Sequence, residues 1–426
     1  MNKKIIIILV AVVMIFAVVC GVYWFVKKNY QNYPTPTLIL TDDTNSTPEG
    51  VEAIVNANNR FAFDLYSEYK SEKGNIFFSP YSISTALAMT YEGARGKTAE
   101  EMQAVLHIPE DAKIRRPNFA KIHNQINKAN EKYELFTANA LWAQENYQFL
   151  DEYFQTIEKY YGGKVTNLDF VEEREREKSR LIINNWTEKQ TNNKIKDIIP
   201  KGVFDNLTRL VLTNAIYFKG VWDVQFDKKD TKKENFKTIS GQTVKIPMMK
   251  LTDSGEEFNY ADINGVKILE LSYEGEDLSM LLVLPEENNL KNLENSITAE
   301  KLSEWKSGMM KREVDIYLPR FKFETKYFMG ETLKKIGMPT AFSPMNADFS
   351  GMTGKSDLYI GKVIHQAFVE VNEEGTEAAA ATAVVMESWG LSVTPVFRAD
   401  HPFIFIIQQK ETGNILFMGR VSNPNE

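Results

Sequence analysis

The sequence predicts an α+β protein, and three observations lead there. Helical periodicity marks residues 51–66, where Val51, Val55, Phe61 and Leu65 share a face, and resumes after Ser79-Pro80 with Ile83, Leu87 and Met89. Strand patterns rich in β-branched and aromatic residues gather later, at residues 268–271, 280–285, 314–321, 363–372, 403–407 and 414–421. Between the strands at 363–372 and 403–407, about 30 residues intervene with no core face, where a connection normally takes about 4 to 6. That length marks a functional loop or a disordered one.

Composition narrows the possibilities before any motif is considered. A hydrophobic content of 43% with 25% charged residues suits a packed domain. The net charge of −7 argues against general nucleic-acid binding. Cys20 is the single cysteine, so residues 51–426 contain neither a disulfide nor a thiol. Only His107, His123, His365 and His401 are available as imidazoles, with no Gly-x-Ser-x-Gly and no metal-ligand spacing. The expectation is therefore a protein that is not an enzyme and uses no metal or cofactor.

In chain order, the apolar run from Ile5 to Val26 lies between Lys3-Lys4 and Lys27-Lys28 and is long enough to span a bilayer. It exceeds the usual apolar segment of a secretory signal, and Ala17-Val18-Val19-Cys20 is a poor cleavage site. Residues 1–26 are read as a membrane anchor or signal segment, with the following domain outside the cytosol, or secreted if the segment is cleaved. Residues 27–50, with Pro34, Pro36 and Pro48 among Thr, Asn and Asp, read as a flexible linker. Residues 51–426 form the folded domain. Within it, Gly93-Ala94-Arg95-Gly96-Lys97-Thr98 lacks the first glycine of a phosphate-binding loop, because that place is Tyr91. Lys113, Arg115 and Arg116 make a basic cluster read as a solvated face rather than a glycosaminoglycan site. Residues 210–222 read as a strand buried on both sides and ending in a glycine turn.

The long loop opens with Glu373-Glu374-Gly375-Thr376-Glu377-Ala378-Ala379-Ala380-Ala381-Thr382. Glutamate followed by alanines is also a good local helix. In extended form, however, Thr376, Ala378, Ala380, Thr382 and Val384 fall on one face, and none carries charge or bulk. Such a face can join an existing sheet. Gly375 supplies a point of turning, and no proline interrupts the stretch to Gly390.

This stretch resembles the proximal hinge of inhibitory serpins. The blocks at 75–102, 182–195, 210–222 and 401–421 resemble the same family, so the likeness runs from about Val51 to Pro424. It implies the serpin fold, with a large mixed central β-sheet, further sheets, about eight to nine helices and an exposed reactive centre loop over about residues 373–400. It implies a suicide-substrate inhibitor of serine proteases, whose loop is cut and then inserts into the central sheet with the protease attached as an acyl-enzyme. The hinge is then Glu373, Gly375, Thr376, Glu377, Ala378, Ala379, Ala380, Ala381 and Thr382. Ser79, Ser82, Trp186 and Asn214 are expected where the sheet opens. Counting fourteen places from the hinge glycine puts the reactive bond at Trp389-Gly390, with Met386 and Leu391 as alternatives. An aromatic there suits a chymotrypsin-like or elastase-like target. The other reading is a non-inhibitory serpin acting as a binding or chaperone-like protein.

Overall fold

The computed structural model describes residues 40–127, 133–286, 289–376 and 394–426. They form one compact unit from Leu40 to Glu426. The apolar run at residues 5–26 lies outside the described residues, among which no helix is long and apolar enough to cross a membrane.

Ten α-helices occur among the described residues: α1 (Pro48–Tyr69), α2 (Pro80–Tyr91), α3 (Gly96–Leu106), α4 (Ala112–Ile126), α5 (Asp151–Tyr161), α6 (Glu173–Gln190), α7 (Leu290–Ser296), α8 (Ala299–Ser307), α9 (Gly330–Lys335) and α10 (Ser350–Thr353). The excess over the expected eight or nine comes from short pieces such as α10, of 4 residues. Seventeen strands complete the unit: β1 (Ile76–Phe78), β2 (Tyr133–Gln144), β3 (Lys164–Leu168), β4 (Leu210–Val221), β5 (Lys232–Lys237), β6 (Thr243–Leu251), β7 (Glu257–Ile263), β8 (Val266–Ser272), β9 (Leu278–Pro285), β10 (Met310–Glu313), β11 (Asp315–Pro319), β12 (Phe321–Phe328), β13 (Ile360–Val371), β14 (Gly375–Thr376), β15 (Val396–Arg398), β16 (Phe403–Gln409) and β17 (Ile415–Val421).

Three sheets result. The mixed sheet runs β12-β13-β4-β2-β3, with β14 added on β4. Its central pair, β4 and β13, is parallel, while β4 with β2 and β12 with β13 are antiparallel. A 7-stranded antiparallel sheet runs β1-β17-β16-β9-β8-β7-β10, and a 4-stranded sheet runs β15-β11-β6-β5. Phe77 on β1 joins two of them: its ring stacks on Phe405 (5.6 Å) and Phe417 (5.2 Å) and meets the edge of Phe323 on β12 (6.2 Å). Helix α2 lies buried along its whole length against this core, which its sequence permits because Ile83, Ala86, Leu87, Ala88 and Met89 leave no charged face. Ser79 starts the helix by accepting from the Ser82 N–H, with Pro80 in the first turn.

The tether expected over residues 27–50 ends earlier than its composition implies. Thr41 is buried; its hydroxyl donates to Ala120 O (3.0 Å) and its N–H to Asn124 Oδ1 (2.9 Å), while the Asp42 N–H donates to Lys159 O (2.7 Å). Thr47 caps α1 through the Gly50 N–H at 3.0 Å. The short polar residues that resemble linker composition are the ones making these bonds. Residues 40–50 therefore belong to the compact unit, and the remainder of the expected linker lies outside the described residues.

The basic cluster has a structural partner. Arg115 Nε donates to Glu92 Oε1 (3.0 Å), Arg116 reaches Glu92 Oε2 (2.8 Å), and the Tyr161 hydroxyl donates to Oε1 (2.7 Å). Burial opposes charge on Glu92, but the Arg115 and Arg116 guanidiniums outweigh it and hold the carboxyl below its usual range. Two of the three cations are thus directed inward at one carboxylate, and Lys113 remains exposed. Removing the carboxylate from this buried triad leaves Arg115 uncompensated. Glu92→Gln is expected to lower stability by about 3 to 5 kcal/mol. Denaturant unfolding checks this, and a loss under about 1 kcal/mol would show that the guanidiniums find water instead.

Candidate functional site

At the end of β13 the chain makes a tight hairpin. The Asn372 N–H donates to Gly375 O (2.8 Å) and the Gly375 N–H to Asn372 O (3.2 Å), which places Glu373 and Glu374 at the turn. Asn372 Oδ1 accepts from the Glu374 N–H at 3.0 Å, the local bond that asparagine makes readily at turns. The returning strand β14 then pairs antiparallel with the end of β4, Gly375 opposite Val221 and Thr376 opposite Gly220. Gly375 has φ of 145°, and a Cβ there would lie 2.1 Å from Gly220 O. A Cβ on Gly220 would meet the Phe218 ring at 2.6 Å. Only glycine fits at either place.

Side chains from elsewhere in the chain fasten the hairpin. The Trp222 N–H donates to Glu374 O (2.9 Å), its indole Nε1–H to Asn372 O (3.0 Å), and the Phe226 N–H to Glu373 O (2.9 Å). The Trp222 ring stacks on Tyr273 at 4.6 Å, and the Tyr273 hydroxyl hydrogen-bonds the Thr376 hydroxyl at 2.9 Å. Burial raises the Tyr273 phenol well above its usual range, so it stays neutral. Glu373 is buried, accepts from Thr231 Oγ1 (2.8 Å) and lies 3.8 Å from Arg320 Nη1; Glu374 pairs with Lys228.

Below the hairpin, β4 and β13 pair from Leu210 opposite Ile360 to Tyr217 opposite Phe368, with Asn214 and His365 as partners. His365 is fully buried. Its Nε2 accepts from the Ser79 N–H (3.1 Å) and its Nδ1 bonds Asn214 Oδ1. Asn214 Nδ2 reaches Ser82 Oγ and Asn139 Oδ1, Ser82 Oγ donates to Asn139 Oδ1 (3.0 Å), and Ser79 Oγ donates to Leu416 O (2.6 Å). With Nε2 an acceptor, the ring is neutral and carries its proton on Nδ1. Burial lowers its pKa to about 3. The network joins the start of α2 to β2, β4, β13 and β17.

Of the predicted site residues, Ser79, Ser82 and Asn214 come together in this network, and Glu373, Gly375 and Thr376 in the hairpin. Trp186 lies elsewhere: it sits on α6 and meets Trp142 of β2 edge-on at 5.3 Å, with Lys164 Nζ 5.6 Å from its ring. Glu377, Ala378, Ala379, Ala380, Ala381, Thr382, Met386, Trp389, Gly390 and Leu391 lie outside the described residues. The span expected as loop, residues 373–400, also contains β15, which pairs in parallel with β11. Sequence reading missed Trp222 and Tyr273 as hinge contacts. The glycine turn at Gly220, beside Trp222, was the available signal. His365 carried none, since a lone histidine on an apolar strand is ordinary.

Comparison with known proteins agrees with this geometry. The family model described as "Serpin (serine protease inhibitor)" matches residues 56–424. An "Uncharacterized serpin-like protein" of Methanosarcina acetivorans is 43% identical over 372 residues, covering 87% of this chain and 86% of its own. "Leukocyte elastase inhibitor A" of Rattus norvegicus is 40% identical over 385 residues, covering 88% of this chain and 100% of its own. Among solved structures, uncleaved ovalbumin superimposes with a TM-score of 0.78 at 34% identity, covering 87% of this chain and 100% of that one. A central mixed sheet ending in a hinge hairpin, matched over nearly its whole length by that family model, places this chain in the serpin family.

Proposed function

We propose that this chain is a suicide-substrate inhibitor of a chymotrypsin-like or elastase-like serine protease. One observation carries the reading: Gly375 and Thr376 already form the first two rungs of a strand on β4, at the open end of a parallel pair. A segment that leaves β13 and turns back runs antiparallel to both β13 and β4. It therefore gains an antiparallel ladder on each side in exchange for the one parallel ladder it interrupts. Thr376 points inward at Tyr273, so by the period of two Ala378, Ala380, Thr382 and Val384 follow inward, and all are small enough to enter.

Chemically, the protease serine attacks the Trp389 carbonyl, and the bond to Gly390 breaks with the amine taking a proton as it leaves. The acyl-enzyme then travels with the inserting strand. Residues 376–388 cover about 40 Å at about 3.3 Å each. At about 1 kcal/mol net per new backbone bond, the gain is on the order of ten kcal/mol, comparable with the whole stability of a domain. The uncut form is then held by kinetics. The chain itself performs no catalysis and needs no metal or cofactor. Residues 5–26 anchor it with the folded unit outside the cytosol, or leave it secreted if they are cleaved, and the linker ahead of the compact unit acts as tether. The rat relative named as an elastase inhibitor supports an apolar-specific target. The competing reading, a non-inhibitory binding or chaperone-like serpin, has less in its favour because the hinge carries neither proline nor inward charge.

Three measurements test this. Incubation with chymotrypsin is expected to give a band of summed mass on a denaturing gel, with a released C-terminal peptide beginning at Gly390; cleavage with neither that band nor a rise in Tm would overturn the mechanism. Thr376→Arg places a cation against Tyr273, and clean cleavage with at least a tenfold loss of trapped complex is expected. Undiminished inhibition by that variant would sink the insertion reading. The third concerns the seam. His365 stays neutral in the fold down to about pH 3 but is protonated below about 6.5 when unfolded. Its contribution is complete above pH 6.5 and is lost as pH falls towards 3, by about 1.4 kcal/mol per unit. Denaturant midpoints of the uncut protein are expected to show that slope, and His365→Gln to remove it; equal slopes in both proteins would exclude His365 as its source.

A further inference from the structure

The last rung of the β4–β13 seam, Tyr217 opposite Phe368, carries an arrangement on the face of the sheet away from α2 that the hinge analysis does not use. The Tyr217 and Phe368 rings meet at 6.3 Å across the seam, and Phe136 of β2 stacks on Tyr217 at 6.1 Å. Lys194, in the segment between α6 and β4, places its ammonium 5.4 Å from the Tyr217 ring and 6.0 Å from the Phe368 ring. Lys322 of β12 lies 5.3 Å from the Phe368 ring and is itself paired with Glu370 at 2.7 Å. Three rings and two cations thus bridge four neighbouring strands at the rung where the parallel pairing ends.

Lys194 is held there by its own segment. The Lys194 N–H donates to Thr191 O (2.9 Å), the Ile195 N–H to Thr191 Oγ1 (3.3 Å), and Ile195, Ile198 and Ile199 bury into a small core with Ala215 and Ile364 on the same face of the sheet. The cation is therefore carried on a segment seated on β4 and β13 together. Neighbouring strands lie about 4.8 Å apart, so a strand entering between them sets Tyr217 and Phe368 about 10 Å apart. An ammonium within about 6 Å of both rings would then have to lie within about 3 Å of the line between them, which is the space the entering strand fills.

We propose that Lys194, with Tyr217 and Phe368, is a clasp that sets the rate at which the uncut chain opens its central sheet beyond Thr376. This rests on the insertion reading above. The clasp acts only on the closed sheet, because its geometry is lost once the seam is filled, so it affects the barrier and leaves the inserted form unchanged.

The test uses the full chain as wild type, Lys194→Met and Lys194→Arg, the methionine keeping an apolar stem of similar length. Loss of protease-binding capacity on warming without protease is followed over time, and the Tm of each protein is measured after cleavage of its loop. The expected result is a rate about 3- to 10-fold faster for Lys194→Met, near-wild-type behaviour for Lys194→Arg, and identical Tm values for the three cleaved forms. A Lys194→Met rate within about twofold of wild type, while all three gain Tm on cleavage, overturns the clasp and leaves insertion standing. Equal acceleration by both variants also overturns it, since that assigns the effect to packing rather than charge. Failure of the wild type itself to gain Tm on cleavage removes insertion, and the clasp with it.

Discussion

The parallel pairing of β4 with β13 is the constraint on which the rest of this structure depends. Parallel neighbours need a connection that leaves one end of the sheet and returns at the other, so they are joined indirectly and share no tight turn. In this chain the two strands are also flanked by antiparallel partners, β2 on one side and β12 on the other. The result is a sheet whose central parallel line has an antiparallel pair on each side, with β3 adding a second parallel pairing to β2 at the edge. That line is where a strand of opposite direction gains most by entering, and the hairpin at Asn372–Gly375 aims the chain back along it.

Two sets of interactions hold the line shut, one on its face towards α2 and one at its end. On the face towards α2, a run of short polar side chains and one neutral imidazole bridges strands on both sides of the seam, and every bond in it crosses between elements distant in sequence. At the end, the hairpin is tied down through backbone acceptors by Trp222 and Phe226 and through carboxylates by Thr231, Arg320 and Lys228. The polar character of both sets matters. An apolar seam would fuse into an ordinary core, whereas directional bonds of about 1 kcal/mol each can be exchanged one for another as strands part.

Much of this was legible in the sequence because it is local. Gly375 was readable as a turning point, the small uncharged residues after it as a face able to join a sheet, and Ser79-Pro80 as a helix start. The reasons residues 40–50 pack, and Trp222 anchors the hinge, were not legible, because the partners lie about 80 and 150 residues away. Tyr273 and His365 acquire their roles only from register: a shift by one residue would turn either ring to the opposite face. The basic cluster at Lys113, Arg115 and Arg116 looked like a surface feature because Glu92, its partner, lies more than twenty residues earlier. Trp186 was grouped with Asn214 by family likeness, and the structure separates them, one on the outer helix α6 and the other inside the sheet.

The contact between Gly375 and Gly220 has a kinetic meaning. Starting a ladder between two strands is the slow part of pairing them, because several torsions must be fixed before any bond repays that order, whereas adding further rungs is fast. Here the nucleus exists before anything happens to the loop, and its register is fixed by two residues that admit no side chain. In the mechanism proposed above, the chain must outrun hydrolysis of a covalent intermediate and has no time to search for alignment. In this fold the search is over in advance, and only propagation remains.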